Sequence, residues 1–200
     1  MRRLWNIVLL LAVITVFYNV IEGIVSVFFG VTDETLALFG FGIDSVIEVL
    51  SGIGIWFMVI RIKNSQSRNI DNFQKTALRI TGISFYILTI SLILTVVYNI
   101  YKGNKPETTF WGIIISSISI LTMILLTYFK LDVGKKLRSD AVIADANNTK
   151  TCVYLSILLL ASSLLYETFK IGYIDSIGAL GIAFYAFKEG RESMEKSKGE

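Results

Sequence analysis

Apolar residues in this chain gather into six long runs, at residues 4–30, 36–60, 77–101, 110–129, 141–169 and 173–187. A helix needs roughly 20 predominantly apolar residues to cross a hydrocarbon core about 30 Å thick. Backbone polar groups in lipid must be satisfied within the spanning segment, which leaves helices as the solution for isolated runs of this length. Six such runs in 200 residues leave room only for short polar connections. The expected fold is therefore an all-α membrane protein with six transmembrane helices. One transmembrane domain over residues 1–200, with no soluble C-terminal domain, is expected.

Charge distribution supplies an orientation. The connections hold most of the chain's 19 Lys and Arg residues. If the N-terminus is cytoplasmic, fifteen cations fall inside: Arg2 and Arg3, five from Arg61 to Arg79, four from Lys130 to Arg138, and four in the tail. The outer connections then hold Lys102, Lys105 and Lys170, and this skew is the one expected of membrane proteins. Both termini are accordingly expected in the cytoplasm, in a multi-pass protein of the plasma membrane. The net charge of +3 carries no clustered basic face for nucleic acid. A single Cys and the absence of His exclude a disulfide scaffold and a zinc-finger pattern. The first run begins after two Arg residues, as in a signal peptide, but it is long and carries Asn19 and Glu22. It reads as a retained first helix.

Ionisable side chains inside such runs are expensive and call for a protein-lined or wet environment. Those that stand out are Glu22, Asp44, Glu48, Asp145 and Lys150. Asp44 and Glu48 are spaced i, i+4, which puts two carboxyls on one helix face within reach of a single cation. At 1.5 Å per residue they lie about 14 Å and about 20 Å along the second helix. Asn148 and Cys152 repeat the spacing on the fifth helix, which runs the other way, and reach the same depths. Four O and S donors thus converge near the midplane, and four is a common coordination number for zinc. Asp145 shares the face of Asn148 and Cys152 and is an accessory or entry ligand. Glu22 and Asn19 share a face of the first helix, with Lys150 as a neutralising partner for Glu22 or for a site acid. Asp33, Asp140 and Asp175 sit where helices start, and a carboxyl there accepts bonds from free N–H groups. Small residues such as Gly40, Gly42, Gly52 and Gly178 allow close helix contact.

The stretch YNVIEGIVSVFFGVTDETLALFGFGIDSVIEVLSG resembles the first two helices of the cation diffusion facilitator family. SDAVIADANNTKTCVYLS resembles that family's fifth helix, and YIDSIGALGIAFYAFKEGRESME its sixth helix and exit. The resemblance implies a secondary transporter rather than an enzyme, with Asp44, Glu48, Asn148 and Cys152 in the ligand positions. Glu48, Asn148 and Cys152 stand where the family commonly carries Asp, His or Asp, and Asp. It also implies proton-coupled antiport of a divalent metal and a homodimer, and makes this chain a transmembrane-only relative. Protons, the divalent ion and the lipid bilayer are then its partners. No cofactor beyond the transported ion is expected. A thiol among oxygen donors favours zinc, with manganese and iron as the other candidates. Two further readings compete: a membrane subunit that does not transport, and an intramembrane hydrolase using a pair of acids.

Overall fold

The computed structural model describes residues 2–33, 35–64, 70–103, 108–171 and 173–198. They form six helices: α1 (Arg2–Thr32), α2 (Leu36–Asn64), α3 (Ile70–Lys102), α4 (Phe110–Leu137), α5 (Asp140–Phe169) and α6 (Tyr173–Lys198). Each apolar run has become a helix, and most extend beyond the run, because polar residues at a span's end can continue the helix into the headgroup region. Five of the six are long and apolar enough to cross a membrane. α6 is the exception, since its apolar stretch ends at Phe187 and its second half is rich in Lys, Arg and Glu.

The polarity of α1 is inverted relative to a soluble helix. Thr15, Asn19, Glu22 and Ser26 are buried, while Phe17, Ile21, Ile24 and Phe28 face outwards. α3 and α4 likewise turn Ile87, Leu94, Leu121 and Leu125 to the surroundings. Large apolar side chains outside and polar ones inside are what a hydrocarbon solvent selects. The molecule is a multi-pass integral membrane protein.

Three pairs of helices build the bundle: α1 on α2, α4 on α5, and α3 on α6, with α2 also touching α3, α5 and α6. Small residues set the closeness of the first pair. A Cβ on Gly42 would lie 2.8 Å from the Val27 backbone nitrogen, so only glycine permits this approach of α2 to α1. Beside this contact Phe41, Leu38, Phe85, Leu88, Leu155 and Ile182 fill the core shared by α2, α3, α5 and α6.

Two helix starts are fastened by carboxyls from other helices. Asp175 at the beginning of α6 accepts from the backbone N–H groups of Leu36 (2.7 Å) and Ala37 (3.2 Å), the first residues of α2. Glu167 near the end of α5 accepts from the Thr109 N–H (2.7 Å) and the Thr108 hydroxyl (2.8 Å) where α4 begins. The helix-start chemistry expected of Asp175 is present, but it serves α2 rather than its own helix. Asp33 is buried in the turn after α1, and the Asp140 side chain lies outside the described residues.

The connection between α4 and α5 is shorter than the polar segment KLDVGKKLRSD suggests. α4 runs on to Leu137 and stops at Arg138, whose left-handed φ of 50° closes the helix, with its N–H bonded to the Lys135 carbonyl. Lys130 therefore lies within a helix. It is only 1% exposed, so it belongs to the interior and not to the loop charges.

Candidate metal site between helices two and five

Asp44 and Glu48 fall on the face of α2 that meets α5, and both are buried. Cys152 comes from α5 between them. Its Sγ lies 2.7 Å from Glu48 Oε2 and 3.0 Å from Asp44 Oδ2. A thiol has one hydrogen and can donate to one oxygen at a time. For both contacts to be hydrogen bonds, one carboxyl must carry a proton and donate it to the sulfur. An arrangement that makes both hydrogen bonds at once would hold two protons, one on the thiol and one on an acid.

A tetrahedral zinc ion, with Zn–S near 2.3 Å and Zn–O near 2.0 Å, sets S and O donors roughly 3.5 Å apart. The donors here are closer than that, and among the described residues no three Cys, Asp or Glu side chains are already spaced for an ion. Accommodating one requires the Cys152–Glu48 pair to part by roughly 0.8 Å.

The second oxygen of Glu48 is held from α5 as well. Thr149 donates its hydroxyl to Glu48 Oε1 at 2.7 Å. The same Thr149 oxygen accepts from Lys130 Nζ at 2.8 Å, and Lys130 also donates to Asp145 Oδ2 at 2.8 Å. Ser51 on α2 donates to the other Asp145 oxygen at 3.3 Å. Asp145, Thr149 and Cys152 therefore form one stripe of α5, and a polar chain runs without a break from Ser51 to Asp44.

The positions expected from sequence separate into two groups. Asp44, Glu48 and Cys152 meet, and Asp145 lies next to them in an ion pair. Asn148 is half-buried, and among the described residues its side chain makes no hydrogen bond with the cluster. The residue facing Glu48 is its neighbour Thr149. Lys150 is exposed on the outer side of α5, with its ammonium 5.8 Å from the centre of the Tyr154 ring, and does not reach Glu22 or the site acids. Glu22 is instead buried against α2, accepting from Tyr18 (2.9 Å) and from Ser45 (3.0 Å). Ser45 adjoins Asp44 in sequence, so Glu22 borders the site without sharing its hydrogen bonds.

Lys130 and Thr149 are the participants that the sequence reading missed. Lys130 closes the fourth apolar run and looks like a flanking anchor. The apolar Leu131 and Val133 that follow it were the signal that the helix continues.

The sequence matches the cation efflux transmembrane domain over residues 8–198. The chain belongs to the cation efflux family. Among curated relatives, it is 26% identical over 180 residues to an uncharacterized transporter of Methanocaldococcus jannaschii, covering 88% of this chain and 63% of that protein. It is 28% identical over 146 residues to transmembrane protein 163 of Xenopus laevis, covering 72% of this chain and 50% of that protein. The chain thus spans between half and two thirds of the length of these relatives.

Proposed function

We propose that this protein is a divalent metal cation transporter that exchanges its ion for protons at Asp44, Glu48 and Cys152. The observation that carries the reading is the convergence of two carboxyls from α2 and the chain's single thiol from α5 within hydrogen-bond distance inside the bundle. Family membership supports metal cations as the cargo. Two protons held in this way would fit the exchange: loss of the thiol proton and of one carboxyl proton frees two negative charges, which balance one divalent ion. Metal and protons then compete for the same atoms.

Zinc is favoured because a thiolate with oxygen donors suits a borderline-soft ion, with manganese and iron as weaker candidates. The side chain best placed to add an oxygen is Thr149, through its contact with Glu48, rather than Asn148. Transport proceeds by secondary antiport, with helices rocking about the site so that it opens to one side and then the other. Cytoplasmic termini, a homodimer and residence in the plasma membrane complete the reading.

Purified protein in liposomes, given zinc, Mn²⁺ or Fe²⁺ under an imposed pH gradient, tests it. The expected result is zinc flux that dissipates the gradient and is lost in Asp44→Asn. Folded protein that moves none of the three ions overturns the proposal.

A further inference from the structure

Among the groups that the exchange reaction does not use, the most conspicuous is the Lys130 ammonium. It enters from α4, is almost wholly buried, and has its charge met by Asp145 at 2.8 Å. Among the described residues, the one charge that Lys130 meets on α5 is the buried Asp145 carboxyl. An apolar side chain of similar length would fill the volume without desolvating an ion pair. Lys130 is nevertheless linked to a proposed ligand through a single hydroxyl. Thr149 Oγ1 accepts from Lys130 and donates to Glu48, so the ammonium and Glu48 Oε1 are two hydrogen bonds of 2.8 and 2.7 Å apart.

Two physical effects follow from this arrangement. Because Thr149 accepts from Lys130, its own hydrogen is directed away from the ammonium, and of its two acceptors Glu48 Oε1 at 2.7 Å is nearer than the Asp145 carbonyl at 3.2 Å. That pins Oε1 and presents Oε2 to Cys152. A fixed positive charge close to the site also repels any cation placed between Asp44, Glu48 and Cys152, with little screening in a buried setting. At the same time the ion pair occupies Asp145, which would otherwise be a third acid bordering the same stripe of α5.

We infer that Lys130 is a counter-charge that sets the affinity of the cation site. It keeps Asp145 out of the ligand set and holds the affinity for a divalent ion low enough for the ion to leave. The inference rests on the reading of Asp44, Glu48 and Cys152 as the cation site. Lys130 acts through charge and through Thr149 and does not itself touch the ion.

Zinc titration of purified protein by calorimetry, with Asp44→Asn, Lys130→Met, Asp145→Asn and the double variant Lys130→Met/Asp145→Asn, separates the two claims. Lys130→Met is expected to bind zinc at least about ten-fold more tightly, and Asp145→Asn at least about ten-fold more weakly, as unopposed charges this close dictate. The double variant removes both charges and is expected to return to within about three-fold of wild type by the same cancellation. It also guards against misfolding caused by a lone buried charge. A residue that merely held α4 to α5 would not produce opposite shifts that cancel. If wild type binds zinc and Asp44→Asn abolishes binding, yet Lys130→Met leaves affinity unchanged or lowers it, the inference is overturned and the site stands. If wild type binds no zinc, or Asp44→Asn binds as wild type does, the site reading fails and the inference with it.

Discussion

Replacing Asp175 by alanine tests whether the start of α2 is held from α6. The carboxyl is buried and accepts from two backbone N–H groups at the first turn of α2, at 2.7 and 3.2 Å. Hydrogen bonds to a charged group contribute about 1.5–3 kcal/mol each, and loss of a capping side chain alone costs about 0.5–2 kcal/mol. Because the two N–H groups share one carboxyl and the longer bond is the weaker, the two contributions do not sum fully. The expected cost of Asp175→Ala is about 3 kcal/mol, with roughly half of that for Asp175→Asn, which keeps one acceptor oxygen. Unfolding in detergent micelles gives the total, and hydrogen exchange at the Leu36 and Ala37 amides localises it. Asp44 lies about two turns further along α2, so zinc affinity should fall as well. An alanine variant within about 0.5 kcal/mol of wild type, with both amides still protected, would refute the assignment of this carboxyl as the cap of α2.

Cys152→Ser exchanges a soft donor for a hard one. Zinc affinity should drop at least about ten-fold while Mn²⁺ affinity changes less, as competition titrations would reveal, and equal losses for both ions would argue against a metal–sulfur bond. Lys150→Ala removes an exposed cation that lies outside the site, so zinc binding and unfolding should match wild type within about 0.5 kcal/mol, and a larger effect on binding would place Lys150 in the site after all. Gly42→Ala puts a methyl group 2.8 Å from the Val27 nitrogen, and the forced separation of α1 from α2 should cost about 1–3 kcal/mol in the same unfolding assay. A neutral result there would mean that the two helices do not pack as closely as described.

The helices were legible because lipid imposes one requirement on every spanning segment, and the apolar runs record it. The pairing of Asp44 and Glu48 with Cys152 was legible for a related reason: helical rise converts sequence position into depth, and buried acids have few places to go. Which neighbour of Cys152 faces Glu48 was harder to read. Asn148 and Thr149 lie on opposite flanks of the line joining Asp145 to Cys152, each within about 60° of it, so periodicity admits both. In the structure it is the Thr149 flank that meets Glu48, and Lys130 on α4 bonds both Asp145 and Thr149 on that same flank. A partner on another helix leaves no trace in the local pattern. Lys150 misled for the complementary reason, since its depth matched the site while its direction did not. The caps of α2 and α4 were equally hidden, because Asp175 and Glu167 act on backbone groups far away in sequence.

The burial of Cys152 has a practical consequence. This sequence contains one thiol, and that thiol lies between the two site acids. Any thiol-specific signal from the purified chain therefore originates at the site, without background from other sulfhydryls. The rate at which a small alkylating reagent consumes it reports how often the bundle opens to that depth, and protection by an added ion reports occupancy. The wild-type protein carries its own probe.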